Sequence, residues 1–261
     1  MNPDAAPRPS LRGLDVDLHL AMPALRQRYV TTMFEIIAPK YDRFTRAFSF
    51  GMDAEWKRDL VEALRPHIAD DAVAIDLACG TGDLAVALGR LAPRGRVLGI
   101  DASPTMIECA LSATAGLRAR LPRGALDFRV GDLMDLDLPA ASVDVATIGY
   151  GLRNVPDFRA ALAGIRRVLK PGGILANLDF TLPEPGWWRV VLLGYLRAMG
   201  DVYGLLWHGD AQVYGYIARS IARFVTRRQF ADALDDLGFE VLAESSRLGG
   251  GVSLHVARRR P

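Results

Sequence analysis

The stretch that decides the fold is Ala74-Ile75-Asp76-Leu77-Ala78-Cys79-Gly80-Thr81-Gly82-Asp83. The apolar run at residues 73–78 predicts a buried strand, and apolar residues at helical spacing over residues 84–91 predict a helix. Gly80 and Gly82 have no Cβ, so they allow a tight turn and a close approach of a ligand to the backbone. A glycine-rich turn between a strand and a helix is typical of nucleotide-binding proteins.

Length and composition indicate one soluble α/β domain with additions. The chain has 261 residues, of which 50% are apolar and 24% are charged, so it can bury a sizeable core. A net charge of +2 gives no basic footprint, and we expect no nucleic-acid partner. Cys79 and Cys109 lack metal-ligand spacing, which predicts no metal site and a reducing, cytoplasmic location. Residues 1–10 show no signal-peptide pattern.

A regular alternation of strand and helix patterns follows the glycine turn. The further predicted strands lie at residues 96–100, 126–130, 143–148, 174–180, 240–246 and 252–257. Two helix starts carry N-cap signals, Ser103 before Pro104 and Thr226 before residues 227–237, and residues 170–173 read as a turn. This pattern predicts an α/β fold with a doubly wound, mostly parallel sheet. Its ligand crevice should lie at the carboxyl ends of the strands.

The segments around this alternation suggest additions to one domain over residues 26–261. Residues 1–25 are rich in Pro, Ala and Arg, and we expect a loose N-terminal extension there. Helical patterns at residues 26–66 precede the first strand and form either a lid over the ligand site or a brace. We expect residues 183–224, after the fifth strand, to form a helical cap over the substrate.

Aspartates stand at the carboxyl ends of the first three predicted strands. Asp76 lies near the end of the first strand, Asp101 follows the second and Asp132 follows the third. A carboxylate after the second strand suits the two hydroxyls of a ribose, and Asp132 suits the amino group of an adenine. The alternative is that these side chains cap helices or end strands without binding a ligand.

The charge at the start of the following helix distinguishes between two cofactors. Residues 80–85 satisfy the loose form of the dinucleotide fingerprint. Asp83, however, stands where a pyrophosphate would bind, and its carboxylate would repel that group. A cationic ligand without phosphate fits better, which favours S-adenosylmethionine over a nicotinamide cofactor.

Several motifs together resemble the ubiquinone/menaquinone biosynthesis C-methyltransferase family of class I S-adenosylmethionine-dependent methyltransferases. The resemblance covers about residues 27–257, and the glycine turn is the part that is common to the whole class. The motifs are Lys40-Tyr41-Asp42-Arg43-Phe44, Ser49-Phe50-Gly51, Trp56-Lys57-Arg58, Gly151-Leu152-Arg153-Asn154-Val155, Lys170-Pro171-Gly172-Gly173, Gly209-Asp210-Ala211, Tyr216-Ile217-Ala218-Arg219-Ser220 and Leu248-Gly249-Gly250-Gly251. The resemblance implies a Rossmann-like sheet of seven strands, of which the last is antiparallel.

The resemblance also implies a set of cofactor-binding and catalytic residues. Cofactor contacts are expected at Asp76, Gly80, Thr81, Gly82, Asp101, Ala102, Met106, Asp132, Leu133 and Gly149. The family has a serine at the position of Gly149, so only a backbone contact is expected there. Arg153 and Asn154 are expected beside the acceptor ring, and Tyr41 and Asp42 are expected to close over the site.

The expected chemistry is methyl transfer to a ring carbon that a neighbouring phenolate activates. Arg153 could stabilise that phenolate, but it is a poor base because its guanidinium stays protonated. Tyr41, Asp42 and His255 are the candidates for accepting the phenol proton through water. Cys79 reads as a small residue in a tight turn rather than a nucleophile.

The acceptor is expected to be the ring of a prenylated quinol, either demethylmenaquinol or 2-polyprenyl-6-methoxy-1,4-benzoquinol. Residues 185–196 and Phe224-Val225-Thr226 depart from the family pattern, so another apolar aromatic or polyketide-like acceptor is the alternative. A non-catalytic, cofactor-binding scaffold of a quinone-biosynthetic complex is a third hypothesis.

The apolar, aromatic segment 187–206 leaves four roles open. Its longest unbroken apolar run, residues 190–193, is far shorter than the ~20 residues that span a bilayer. It could lie in a membrane interface on the inner face, line a tunnel for a prenyl tail, form a homodimer contact or belong to the core.

Overall fold

The computed structural model describes Leu11, Leu14 and residues 16–210 and 212–261. Within these residues the chain forms one sheet of seven strands with helices on both faces. The strands are β1 (Val73–Leu77), β2 (Arg96–Asp101), β3 (Leu126–Val130), β4 (Val143–Gly149), β5 (Leu169–Phe180), β6 (Phe239–Arg247) and β7 (Val252–Arg259). The helices are α1 (Val16–Ala21), α2 (Pro23–Ile37), α3 (Tyr41–Phe48), α4 (Met52–Leu64), α5 (Asp83–Leu91), α6 (Pro104–Arg118), α7 (Phe158–Val168), α8 (Trp187–His208), α9 (Gln212–Ala222) and α10 (Arg227–Asp236).

The strand order is β3-β2-β1-β4-β5-β7-β6, and the first five strands in sequence are parallel. Strand β7 runs antiparallel to both of its neighbours, β5 and β6. The predicted α/β fold, a doubly wound, Rossmann-like sheet of seven strands with the last one antiparallel, is therefore confirmed. The order of the strands reverses between β1 and β4, and a crevice at their carboxyl ends follows from that reversal.

The core has one apolar cluster on each face of the sheet and a third among the helices. The third cluster joins α2 and α3, which precede the sheet in sequence, to α8 and α9, which follow β5. Met33, Phe44, Leu196 and Tyr214 are buried members of it. Segments that lie far apart in the sequence thus pack together above the carboxyl ends of the strands.

Local signals for helix starts are confirmed. The Ser103 hydroxyl accepts a hydrogen bond from the Met106 amide, which caps α6. Thr226 and Gln229 form a capping box at the start of α10. Both motifs satisfy amide groups of the first helical turn, which have no partner within the helix.

The predicted loose extension at residues 1–25 is wrong for its second half. Residues 16–21 form α1, and α2 begins at Pro23. Val16 and Leu20 are buried in the third apolar cluster, so packing stabilises a helix that composition alone did not indicate. Residues 1–10, 12, 13 and 15, which belong to the same prediction, lie outside the described residues.

Strand β5 begins earlier than predicted. Its first residue is Leu169, so the predicted turn at residues 170–173 lies within the strand. Leu169 pairs with Val143 and Ile174 pairs with Val145, and the residues between them bulge out of the ladder. Gly172 has a φ of 79° there, a conformation that glycine adopts readily.

Candidate active site

A cavity lies at the carboxyl ends of β1, β2, β3 and β4, and we call it the strand-end cavity. Helix α2 closes it from above with Val30 and Phe34. The predicted cofactor residues that line it are Gly80, Asp101, Ala102, Met106, Asp132, Leu133 and Gly149. The fold therefore gathers side chains and backbone from four separate strand ends around one space.

Asp101 connects the ends of β1 and β2. Its carboxylate accepts hydrogen bonds from the Gly80 amide and the Ser103 amide, both at 2.9 Å. Burial raises the pKa of Asp101, and these backbone hydrogen bonds oppose that rise. The carboxylate is thus fixed in position at the cavity wall.

Asp76 lies at the polar end of the site, a smaller space that shares Gly80 and Gly149 with the strand-end cavity. Its Oδ1 accepts a hydrogen bond of 2.7 Å from the Thr147 hydroxyl. Its Oδ2 is buried and makes no well-aligned hydrogen bond within the part of the chain that the structure describes. Burial raises the pKa of Asp76 to about 7, although the Thr147 hydroxyl and the Ala85 amide oppose the rise.

Two side-chain pairs border the polar end. The Thr81 hydroxyl donates to Asp42 at 2.8 Å, and the Lys57 ammonium pairs with Asp83 at 2.9 Å. Asp83 therefore has a cation beside it, and the sequence argument that its charge repels a pyrophosphate neglected this partner. The partner could not be read from the sequence because 26 residues separate the two side chains.

Two of the glycines that were predicted to contact the cofactor, Gly82 and Gly149, have different surroundings. Gly82 is the N-cap of α5 with a φ of 91°, and a Cβ on it would lie 2.9 Å from the Phe128 ring. It does not line the strand-end cavity, so its position supports a packing role rather than the predicted ligand contact. Gly149 does line the cavity, and a Cβ there would lie 2.8 Å from the end of the Leu84 side chain.

A second cavity lies between α2, α3, α4, α9 and the end of β5, and we call it the aromatic chamber. Its wall includes Phe44, Phe48, Trp56, Phe180, Tyr214 and Tyr216. Phe34, Tyr41 and Tyr150 line both the chamber and the strand-end cavity. The two cavities therefore adjoin each other at these three side chains.

Arg153 brings a buried positive charge to the wall of the aromatic chamber. Its guanidinium donates to Asp179 at 2.6 Å and to the Tyr150 carbonyl at 2.8 Å, and its Cζ lies 5.2 Å from the centre of the Phe180 ring. Burial opposes this charge, but the adjacent Asp179 carboxylate raises the pKa of Arg153 above its usual value. Arg153 thus stays charged within an aromatic environment.

Asn154 holds the same loop in place from the other side. Its Nδ2 donates to the Tyr150 carbonyl at 3.0 Å, and its Oδ1 accepts a hydrogen bond from the Tyr216 hydroxyl. It lines the strand-end cavity rather than the aromatic chamber. Asn154 and Arg153 therefore line different cavities, and the position of Asn154 beside the acceptor ring stays a prediction.

Sequence reasoning did not single out Asp179 or Tyr150, and it named Tyr216 only as part of a family motif. Asp179 lies near the end of β5, so the rule that selected the other strand-end aspartates could have found it. The Tyr150 hydroxyl is buried without a hydrogen-bond partner among the described residues, and burial raises its pKa well above the usual value. It therefore remains a protonated donor at the boundary of the two cavities.

Two of the predicted proton acceptors do not reach the chamber. Asp42 is exposed and lines a separate, charged cleft between α3, α4 and α5. His255 is buried on β7 with its ring 4.8 Å from the Phe230 ring, and burial lowers its pKa to about 4. Tyr41 lines both cavities, but burial raises its pKa, which makes it a poor base. The proposed roles of Asp42 and His255 as bases are therefore not supported by their positions.

Cys79 is buried, and burial raises the pKa of its thiol, so its environment does not favour a thiolate nucleophile. Both Cys79 and Cys109 are free thiols. No group of three or more His, Cys, Asp or Glu residues that could hold a metal ion occurs within the described ranges.

The segment at residues 187–206 lies in the 22-residue helix α8. Among the described helices α8 alone is long and apolar enough to cross a membrane by length and composition. It buries Leu192 and Leu196 against the third apolar cluster and exposes Trp187, Val190 and Leu206 on its other side. Its sequence is thus apolar on both faces, although only one face is packed.

Residues 22–259 match the model of the ubiE/COQ5 methyltransferase family. A demethylmenaquinone methyltransferase of Listeria welshimeri is 30% identical over 90% of this chain and 97% of its own length. One of Desulfitobacterium hafniense is 32% identical over 89% of this chain and 90% of its own length.

Solved structures share the fold at low sequence identity. The [4+2]-cyclase SpnF superposes with a TM-score of 0.62 at 20% identity, over 89% of this chain and 96% of that one. The geranyl diphosphate C-methyltransferase of Streptomyces coelicolor superposes with a TM-score of 0.55 at 16% identity, over 76% of this chain and 74% of that one. These likenesses concern the arrangement of the sheet and helices alone.

The strand-end cavity is compatible with S-adenosylmethionine. The fixed carboxylate of Asp101 lines it, and Asp76 lines the smaller space that adjoins it; both carboxylates suit a ligand with hydroxyl and ammonium groups. With the family match over almost the whole chain, the cofactor and the reaction class follow. The chain belongs to the ubiE/COQ5 methyltransferase family of S-adenosylmethionine-dependent enzymes.

Proposed function

We propose that this methyltransferase methylates a ring carbon of a reduced, prenylated quinone precursor, such as demethylmenaquinol or 2-polyprenyl-6-methoxy-1,4-benzoquinol. The observation that carries the proposal is the charged Arg153 in the wall of an otherwise aromatic chamber beside the strand-end cavity. The relatives from Listeria and Desulfitobacterium, which are named demethylmenaquinone methyltransferases, support the choice of acceptor.

In this proposal the strand-end residues hold the cofactor, whose sulfonium supplies an activated methyl group. Asp101 binds the ribose hydroxyls, while Asp132 and Leu133 bind the adenine beside Ala102 and Met106. The cofactor's ammonium group lies near Asp76, with Gly80 and Thr81 beside it. Gly149 contributes its backbone.

The aromatic chamber holds the acceptor ring in this proposal. Arg153 stabilises the oxyanion of the ring when its hydroxyl loses a proton, because a fixed cation in an apolar wall acts strongly on a developing charge. Tyr41 and Tyr150 line both cavities where they adjoin, and they exclude water from the sides of the path that the methyl group takes. Alignment of the ring carbon with the methyl group is then the main contribution of the protein.

We propose that residues 26–66 act as a lid and residues 183–224 as a cap over the acceptor. Helices α2, α3 and α4 supply Met33, Phe44 and Trp56 to the chamber wall, and α9 supplies Tyr214. Helices α2, α3 and α9 share one apolar cluster with α8, so they would move together rather than singly, whereas Trp56 of α4 belongs to a cluster on the sheet.

The direct test is methyl transfer by the purified protein from isotopically labelled S-adenosylmethionine to a reduced demethylmenaquinone with a short prenyl tail. We expect a product with one added ring methyl group by mass spectrometry. Quinones of a host that lacks its own enzyme should gain the same group when this chain is expressed. No transfer to any quinol, together with transfer to another apolar phenol, would replace the proposed acceptor. Cofactor binding by calorimetry without any transfer would favour the scaffold hypothesis.

We further propose that the exposed face of α8 lies on the cytoplasmic surface of a membrane that holds the prenyl tail of the acceptor. Trp187, Val190 and Leu206 are 75%, 73% and 73% exposed on this face, and Arg197 is exposed beside them. An amphipathic site with aromatic and cationic residues suits an interface with anionic lipids. The opposite face of α8 packs Tyr203 and Trp207 against Phe44 of the chamber wall.

Co-sedimentation with vesicles that contain anionic lipids tests this surface. The pair Val190→Glu and Leu206→Glu should reduce binding strongly, while Leu117→Glu, an exposed apolar residue at the end of α6, should leave binding unchanged. Equal binding of both variants would contradict the proposal. If the first variant instead turned a dimer into a monomer in sedimentation analysis, the face would be a contact between two copies.

A further inference from the structure

Asp53 is a carboxylate in the wall of the aromatic chamber that the sequence patterns did not single out. It lies in the first turn of α4, and its side chain is 13% exposed. Among the described residues that line the chamber, it is the one carboxylate, because Asp179 pairs with Arg153 behind the wall. It therefore shares the chamber with the cation that would stabilise an oxyanion.

The hydrogen bonds of Asp53 leave one carboxylate oxygen available. The Ser49 hydroxyl donates to Oδ1 at 2.9 Å and accepts from the Asp53 amide at 3.3 Å, which fixes the side chain. Oδ2 lies 3.8 Å from the Lys57 ammonium, beyond hydrogen-bond distance, and Lys57 pairs more closely with Asp83. Oδ2 can thus accept a proton from a ligand.

Asp53 also borders the charged cleft that opens to solvent. The lining residues that the chamber and this cleft have in common are Tyr41, Thr45 and Asp53. A proton taken up on the chamber side therefore has a short route to water on the cleft side. The charge of Asp53 also acts on the Tyr150 hydroxyl. Burial is the largest cause of the raised pKa of Tyr150, and Asp53 is one of the charged groups that raise it further.

We propose that Asp53 accepts the hydroxyl proton of the acceptor ring, an inference that rests on the proposed function. The proton passes from the ring oxygen to Oδ2, and the oxygen's electrons conjugate into the ring. The bond from the ring carbon to the methyl group forms as the sulfur–methyl bond breaks. The ring carbon then loses its own proton to water, and Asp53 returns its proton to the ring oxygen. The net products are the methylated ring, a neutral thioether and one proton.

The variant Asp53→Asn tests this role while keeping the fold of the α3–α4 turn. An asparagine Oδ1 can still accept from the Ser49 hydroxyl, so the local hydrogen bond is preserved. We expect kcat to fall by about 10²–10⁴-fold, the usual contribution of a general base. The Kd for S-adenosylmethionine and the KM for the short-tail demethylmenaquinol should change little. Glu55→Gln, which removes an exposed carboxylate from the same helical turn, is the control.

The acidity of the acceptor separates a base from a merely structural residue. A ring-fluorinated naphthoquinol loses its hydroxyl proton more easily, so the deficit of Asp53→Asn should be smaller with it than with the parent quinol. Asp53→Glu should recover part of the activity. A variant Asp53→Asn that retains wild-type kcat, or a deficit that is independent of acceptor acidity, would overturn the inference and leave the proposed function standing. A wild-type protein that methylates none of these phenols would overturn both.

Discussion

The strand-end cavity and the aromatic chamber adjoin each other but are built from different parts of the fold. Many residues of the first come from the short loops that directly follow β1, β2, β3 and β4, and they add two carboxylates, Asp101 and Asp132, and backbone groups to an otherwise largely apolar wall. The second is lined by aromatic rings from α2, α3 and α4, which precede β1 in the sequence, and from α9, which follows β5. Its charged groups among the described residues are Arg153 and Asp53.

The two walls suit the two proposed ligands in different ways. Hydrogen-bonding groups that a parallel sheet fixes at one edge can recognise a polar cofactor, because the strand ends hardly move relative to each other. An apolar ring with a long tail is instead held by packing against side chains of helices. Changes in one region should therefore leave the other region's ligand largely unaffected.

The largest effect is expected at the ion pair behind the chamber wall. Arg153→Met leaves Asp179 buried without its partner, so the free energy of unfolding should fall by about 3–5 kcal/mol. Because the oxyanion also loses its cation, kcat should fall by about 10³-fold. Urea unfolding and steady-state methyl transfer measure the two losses.

The double variant Arg153→Met with Asp179→Leu separates the two effects. It removes both charges, so it should recover most of the stability while activity stays low. An active double variant would show that the chamber does not need its cation.

The next largest effect is expected on the cofactor side. Asp101→Ala removes the acceptor of the Gly80 and Ser103 amides and the proposed partner of the ribose, so the Kd for S-adenosylmethionine should rise about 100-fold. Calorimetry measures it, with Asp127→Ala, an exposed residue of β3, as the control. An unchanged Kd would contradict the assignment of Asp101 to the cofactor site. A changed KM for the acceptor at saturating cofactor would contradict the separation of the two regions.

A smaller effect is expected from the titration of Asp76. Its pKa of about 7 in the folded protein lies above the usual value, so below pH 7 the side chain is mainly protonated and neutral. The cofactor's ammonium favours the ionised form, so its affinity should fall as the pH falls through 7, by up to about tenfold per pH unit. Asp76→Asn should abolish this dependence.

The same titration predicts the sign of a stability change without ligand. The folded protein holds a proton on Asp76 that the unfolded chain releases near pH 4, so this residue's contribution to stability is complete below that pH and is lost as the pH rises through 7. Calorimetric titration at several pH values tests the affinity, and thermal unfolding of wild type and Asp76→Asn tests the stability. A pH-independent affinity would place the ammonium elsewhere.

The smallest effect is expected from the aromatic wall. The rings of Phe44 and Tyr214 stack with centres 3.6 Å apart and planes 5° from parallel. Phe44→Leu loses this stacking and should raise the acceptor KM three- to tenfold, roughly the 0.5–1.5 kcal/mol of an aromatic pair. Cofactor affinity, measured on the same preparation, should stay constant, and a parallel loss of cofactor affinity would contradict the separation of the two regions.

Most of the predicted residues that line the strand-end cavity could be found from the sequence because their signals are local. The glycine turn, the Ser103 cap and the strand-end aspartates each depend on residues a few positions apart, and the sheet brings them together in a known way. Gly82 and the neglected Lys57–Asp83 pair show the limit even here. Both depend on what packs against the turn from elsewhere in the chain.

The acceptor side could be predicted only in part. Arg153 and Tyr41 came from motifs, but Asp53 and Asp179 carry no local sign of their partners. The sequence of residues 16–25 indicated a loose extension, whereas burial of Val16 and Leu20 makes that part helical. The sequence suggested His255 as a possible base, but in the fold its ring packs against Phe230.

From the sequence alone, hydrophobic periodicity and turn chemistry predicted the α/β fold and the strand-end crevice, because they act over short distances, and the family motifs indicated the class of cofactor. Only the tertiary structure decided which side chains form the aromatic chamber, which carboxylate faces it and which arginine charge stays buried. Those properties depend on packing between segments more than a hundred residues apart, as with Phe44 and Tyr214. Such packing decides which groups lose water and acquire partners, and these two changes determine whether a charged side chain can take part in chemistry.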